Sequence, residues 1–122
     1  MAQNQQRVLL VEDEAMVAML VEDMLLDLGF GEVKVVARLE DAIRMADSIP
    51  CDLAILDVNL KGVPSYPVAE ILRRRGVPII FTTGYGAEGL DAASAGTPVL
   101  QKPFQQDQLE AVVSQVLSAR DS

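Results

Sequence analysis

The chain has 122 residues and a net charge of −8, from 18 acidic and 10 basic side chains; it has room for one core and repels a phosphodiester backbone over most of its surface. Half of the residues are apolar and 23% are charged, which excludes a disordered tail. The absence of histidine excludes Ser-His-Asp and Cys-His catalysis, histidine-ligated metals and a phosphohistidine on this chain, and a single cysteine, Cys51, excludes an internal disulfide.

Residues 1–7 are polar, and no run approaches the roughly eighteen apolar residues of a membrane span. The expectation is one cytoplasmic domain over residues 1–122, with flexible ends at 1–6 and 120–122. Val8–Val11 is the first short apolar run. Residues 14–28 follow as a strongly apolar helix, polar at Glu22, Asp23 and Asp27, with Gly29 where it ends. Val33–Ala37, broken only by Lys34, is the second strand; Leu39–Ile49 places Leu39, Ile43 and Ala46 on one helical face and stops at Pro50. Cys51 reads as a small buried thiol ahead of the third strand, Leu53–Leu56.

Pro67 is tolerated in the first turn of the next helix, which ends in Arg73, Arg74 and Arg75 before Gly76; cations there favour the macrodipole and are ordinarily solvated. Val77–Phe81 is the fourth strand. Ala87–Ala95, among Gly86, Gly89 and Gly96, is the weakest helix, and Val99–Leu100 is the fifth strand. Gln105–Ala119 carries Leu109, Val112, Val113, Val116 and Leu117 at helical spacing. Continuous apolar strands alternating with helices predict an α/β fold: a (βα)5 doubly wound parallel five-stranded sheet of flavodoxin-like order 2-1-3-4-5.

Such sheets bind ligands beyond the carboxyl ends of their strands. The polar residues there are Glu12 and Asp13, Asp57, Thr82 and Thr83, and Gln101 and Lys102. Singly they read as helix caps, a turn and a solvated lysine. Together they put three carboxylates, a hydroxyl and an ammonium on one edge. Clustered carboxylates repel unless a cation binds or one is protonated, and an all-oxygen set suits Mg2+ (or Mn2+). A carboxylate beside such an ion can attack a phosphoryl group, with Lys102 and Thr83 neutralising its oxygens.

Four separated pieces carry a resemblance: Val8-Leu9-Leu10-Val11-Glu12-Asp13-Glu14, Leu56-Asp57-Val58-Asn59-Leu60, Thr83-Gly84 and Lys102-Pro103-Phe104. In order and spacing, over nearly the whole chain, they resemble the receiver domains of two-component response regulators. The resemblance implies Asp57 as phosphoacceptor, Asp13 as metal ligand with Glu12 its partner through metal-bound water, and Asn59 adding its backbone carbonyl. It also implies Thr83 as the phosphoryl-binding and switching hydroxyl, Lys102 as the phosphate-pairing lysine, and a cis Lys102-Pro103 bond. The implied partner is a sensor histidine kinase or histidine phosphotransfer protein, with no nucleic acid and no membrane. The implied chemistry is self-phosphorylation and dephosphorylation, not enzymatic turnover.

Phe81-Thr82-Thr83-Gly84-Tyr85-Gly86 resembles the Phe-Ala-Thr-Gly-Tyr/Gly variant of alphaproteobacteria, often stand-alone, with Thr82 replacing Ala. Two positions depart from the usual pattern. Val99 stands where receivers carry a switching aromatic, and Lys61 stands where many carry proline. Switching is therefore expected through Thr83, the glycine-flanked fourth helix and Tyr85, although Tyr85 also suits simple packing. Met16 and Val17 make the first helix more apolar than one buried face requires, which suits docking of a kinase helix. No output domain follows the last helix, so action through protein contacts or as a phosphate sink is expected, as a monomer or weak dimer. The alternatives are a pseudo-receiver that is never phosphorylated and a haloacid-dehalogenase-like phosphohydrolase. The second needs Asp-x-Asp, where this chain has Asp57-Val58-Asn59.

Overall fold

The structure, a computed structural model, describes residues 6–84 and 96–121. In chain order the elements are β1 (Arg7–Val11), α1 (Ala15–Asp27), β2 (Glu32–Val36), α2 (Leu39–Ser48), β3 (Leu53–Asp57), β4 (Asn59–Leu60), β5 (Val63–Pro64), α3 (Tyr66–Arg74), β6 (Ile79–Thr83), β7 (Val99–Gln101) and α4 (Gln106–Asp121). The main sheet has the order β2-β1-β3-β6-β7, with all neighbours parallel. Counting only its own strands, that is the expected 2-1-3-4-5. The Ala87–Ala95 helix and Tyr85 lie outside the described residues, as do most of the ends expected to be flexible.

Alternation along the strands divides the core in two. Leu9 and Val11 of β1 pack with Ala42 and Ala46 of α2 and with Val68, Ala69 and Leu72 of α3. Val8 and Leu10 turn to the other face, against Val21 and Leu25 of α1 and Leu109 and Val113 of α4. Helices cover both faces, which is why these strands read as continuous apolar runs rather than alternating ones.

The end of α1 follows its glycine. Gly29 has φ +102°, its N–H donates to the Leu26 carbonyl at 3.0 Å, and the Phe30 N–H donates to Leu25 at 3.2 Å. This double closure satisfies the last carbonyls and folds Phe30 back onto Leu25 in the core.

Three features differ from the sequence reading. The fourth strand runs Ile79–Thr83 rather than Val77–Phe81, because Pro78 has no N–H and the Val77 N–H is taken by the Leu72 carbonyl at 3.0 Å, closing α3. The arginine run is engaged rather than merely solvated: Arg73 donates to Thr97 Oγ1 at 2.9 Å, Arg74 pairs with Glu70 at 2.8 Å, and Arg75 donates to the Ala46 and Ile49 carbonyls. Arg75 thereby ties the end of α3 to the end of α2.

The third difference is the β4–β5 hairpin, in which Leu60 pairs with Val63 across a two-residue loop. Lys61 has φ +52° and Gly62 +87°, the pair of positive values a type I′ turn demands. Proline cannot take φ +52°, so the turn excludes the residue that many receivers carry at this position. The Lys102-Pro103 bond is cis, as the resemblance implied. Among the described residues no helix is long and apolar enough to cross a membrane.

Candidate functional site

Three strands of the main sheet end in residues that meet. Glu12 follows β1, buried, its N–H held by the Val36 carbonyl at 3.0 Å. Asp57 closes β3, also buried, opposite Thr82 in the register of β3 with β6. Lys102 follows β7, and its N–H donates to the Thr83 carbonyl at 2.8 Å. The ladder bonds thus place backbone groups from distant parts of the chain, and the side chains have little freedom left to choose.

The Lys102 Nζ donates to Asp57 Oδ2 at 3.1 Å and to Glu12 Oε1 at 3.2 Å, and lies 3.7 Å from Glu14 Oε1. Asp57 Oδ1 accepts from the Asn59 N–H at 3.1 Å, and Glu12 Oε2 accepts from the Glu14 N–H at 3.1 Å. Carboxylate oxygens of Glu12, Asp13 and Asp57 lie within 4.8 Å of one another.

Burial is the main reason the Glu12 carboxyl is pushed up to about 7 from 4.5; the nearby Asp57 charge adds to this, while the Glu14 N–H and Lys102 offset part of it. Burial works against the Lys102 ammonium, but its bonds to Asp57 and Glu12, and their charges, outweigh that and raise its pKa. Carboxylates outnumber the one ammonium among them, so the cluster retains negative charge for a cation to neutralise. The donors are all oxygen, which fits Mg2+ rather than a softer metal.

A cavity of about 570 Å³ opens over the cluster, lined on the polar side by Asp13, Asp57, Asn59, Thr83 and Lys102. Val17, Leu20, Val21 and Met24 of α1 and Phe104 form its apolar wall. Thr83, buried at the end of β6, is therefore in the same space as Asp57. Val99 is not: it pairs with Phe81 and packs against the core under α2 and α3. Tyr85 lies outside the described residues.

Glu14 and Gly62 were given no role in the sequence, and Lys61 was noted only as a departure from the usual pattern. Glu14 holds Glu12 through its N–H, and Lys61 and Gly62 line the cavity from the hairpin tip. The one available signal for the hairpin was a Lys-Gly pair between Leu60 and Val63, too short to stand out.

The sequence profile of the response regulator receiver domain matches residues 8–114. Among solved structures, SdrG from Sphingomonas melonis Fr1 is 38% identical, with 98% of each chain covered and a TM-score of 0.79. The receiver domain of a sensor histidine kinase from Pseudomonas aeruginosa PAO1, solved with magnesium coordinated in its active-site cleft, is 30% identical over 93% of this chain and 98% of that one, with a TM-score of 0.80. The phyllosphere-induced regulator PhyR of Methylorubrum extorquens is 31% identical over 94% of this chain and 45% of its own length. The chain spans about half the length of the curated relatives it matches, 51% for a probable transcriptional regulator of Pyropia yezoensis.

Proposed function

The chain belongs to the response regulator receiver domain family, and from that membership we propose a phosphoacceptor switch or phosphate sink in which Asp57 accepts a phosphoryl group. The observation that carries this reading is a buried Asp57 carboxylate held by Lys102 Nζ at 3.1 Å inside a cluster of carboxylates. Glu12, Asp13 and Asp57, with the Asn59 backbone carbonyl, would hold Mg2+ or Mn2+. When bound, the ion supplies positive charge for the phosphoryl oxygens.

The residues of the chain do the rest. An Asp57 carboxylate oxygen attacks phosphorus; the O–P bond forms as the bond from phosphorus to the donor nitrogen or oxygen breaks, and the leaving group departs with that electron pair. The Lys102 ammonium transfers from Asp57 and Glu12 to a phosphoryl oxygen, and the Thr83 hydroxyl serves another. Turnover is confined to this phosphorylation and its hydrolysis. The test is intact mass after acetyl phosphate and Mg2+, with an EDTA control. One added phosphoryl, lost with EDTA, is expected; no gain favours a pseudo-receiver, and multiple turnover of a phosphomonoester favours a hydrolase.

The raised Glu12 carboxyl makes metal binding pH-dependent. The folded chain keeps this proton where the unfolded chain gives it up, so the stability it contributes is full below 4.5 and lost as pH rises through about 7. Mg2+ competes with the same proton. Its affinity is expected to rise from about pH 5.5 to about pH 7.5, with proton release seen by calorimetry in buffers of different ionisation enthalpy. Equal affinity at both pH values would remove Glu12 from the metal site.

The donor we propose is a helix of a sensor kinase or phosphotransfer protein, docked on α1. Met16 is 84% exposed, Met19 64%, Leu20 56% and Leu26 46%, an apolar face beside the cavity. α1 contains Glu22, Asp23 and Asp27 and no basic residue, so its complement is an amphipathic helix with Lys or Arg at its rim. Met16→Glu with Met19→Glu is expected to slow transfer from a phosphorylated histidine phosphotransfer protein by about tenfold or more, leaving acetyl phosphate labelling unchanged. Unaltered transfer would end the docking proposal.

A further inference from the structure

The cavity holds a second cation whose place in the chemistry the family pattern leaves open. Lys61 lines it together with Asp57, Thr83 and Lys102. Lys102 is committed to Glu12 and Asp57, whereas the Lys61 ammonium has no carboxylate within ion-pair distance among the described residues. Among the described residues it is a cation with no ion-pair partner, lining an acidic site.

The backbone of the turn that carries it is tied down by hydrogen bonds. Asn59 Oδ1 accepts the Gly62 N–H at 2.6 Å across the turn, while the Asn59 N–H donates to Asp57 at 3.1 Å. Leu60 anchors the hairpin in the core, and the Ser65 N–H returns to the Val58 carbonyl at 2.9 Å. One asparagine therefore couples the turn carrying Lys61 to the phosphoacceptor carboxylate. The turn itself does not ask for lysine: at φ +52° glycine, asparagine and aspartate are the favoured residues, so the side chain rather than the backbone accounts for this choice.

We infer that Lys61 is a recognition residue for the phosphodonor, attracting and orienting a dianionic phosphoryl group at the cavity mouth before Lys102 takes it. This rests on Asp57 being the acceptor. The charge acts on the encounter, so it raises the second-order rate constant for anionic donors and leaves the bond-making step to Asp57 and Lys102.

The test compares acetyl phosphate with the less negatively charged phosphoramidate on wild type, Lys61→Asn and Lys61→Arg. In each reaction an Asp57 oxygen displaces the leaving group from phosphorus: acetate departs with the P–O electron pair, and the amine departs as ammonia after taking a proton. Asparagine suits the turn, and amide shifts of Asn59 and Gly62 check that the hairpin is intact. Lys61→Asn is expected to slow labelling by acetyl phosphate about fivefold and by phosphoramidate less than about twofold, with the gap closing near about 0.5 M salt. Lys61→Arg is expected to keep the wild-type rate. Equal rates for wild type and Lys61→Asn, or slowing independent of donor charge and salt, overturn the inference while Asp57 stands. A wild-type chain that takes no label from either donor overturns the acceptor reading and this inference with it.

Discussion

Asp57→Asn is expected to abolish labelling by acetyl phosphate, a loss of at least about a hundredfold, because a carboxamide cannot serve as the nucleophile. The substitution keeps the shape of the side chain and an oxygen to accept the Asn59 N–H, now at 3.1 Å, so the strand end and hairpin remain in place. It also removes one charge that raises the Glu12 carboxyl, which relieves rather than adds electrostatic strain. Loss of label with unchanged amide shifts away from the site therefore reports chemistry, not unfolding. Lys102→Ala and Thr83→Ala are expected to retain a labelled Asp57 but with slower transfer or a weaker response. Peptide mapping that found the phosphoryl group on another residue would displace Asp57 from its role.

Phe81→Ala is expected to remove about 3–5 kcal/mol of stability, read as a lower urea midpoint with an unchanged slope. Phe81 is fully buried in β6, opposite Leu56 in β3 and Val99 in β7. Its ring meets Tyr66 edge to face, with centroids 6.1 Å apart, so the truncation leaves a void between the sheet and the start of α3. Set against the about 5–15 kcal/mol typical of a whole domain, this brings the variant close to the limit of folding. A loss below about 1 kcal/mol would mean that Tyr66 and the helix collapse into the space.

Much of this was legible because each strand announces itself twice, by a continuous apolar run and by the polar residue that closes it. Leu53–Leu56 followed by Asp57 is the clearest case, since full burial leaves no alternation to blur the run. Gly29 marked the end of α1 for an equally local reason, a positive φ. The hairpin was not legible: its strands are two residues long, and Val63 and Pro64 are exposed, so no hydrophobic period betrays them. Val77 misled because its apolar side chain looked like strand while its N–H was closing the preceding helix.

By itself the sequence determined the alternation of strands and helices and the polar residue types at each strand end, because both follow from burial and backbone preferences over a few neighbouring residues. Which residues met was decided by tertiary structure. Lys102 reaches Asp57 across 45 positions and Glu12 across 90, and only the order β2-β1-β3-β6-β7 and its register bring those atoms within hydrogen-bond distance. The elevated Glu12 carboxyl and the cation on the hairpin tip belong to the same level: each depends on surroundings assembled from several strands, and no local pattern in the chain encodes them.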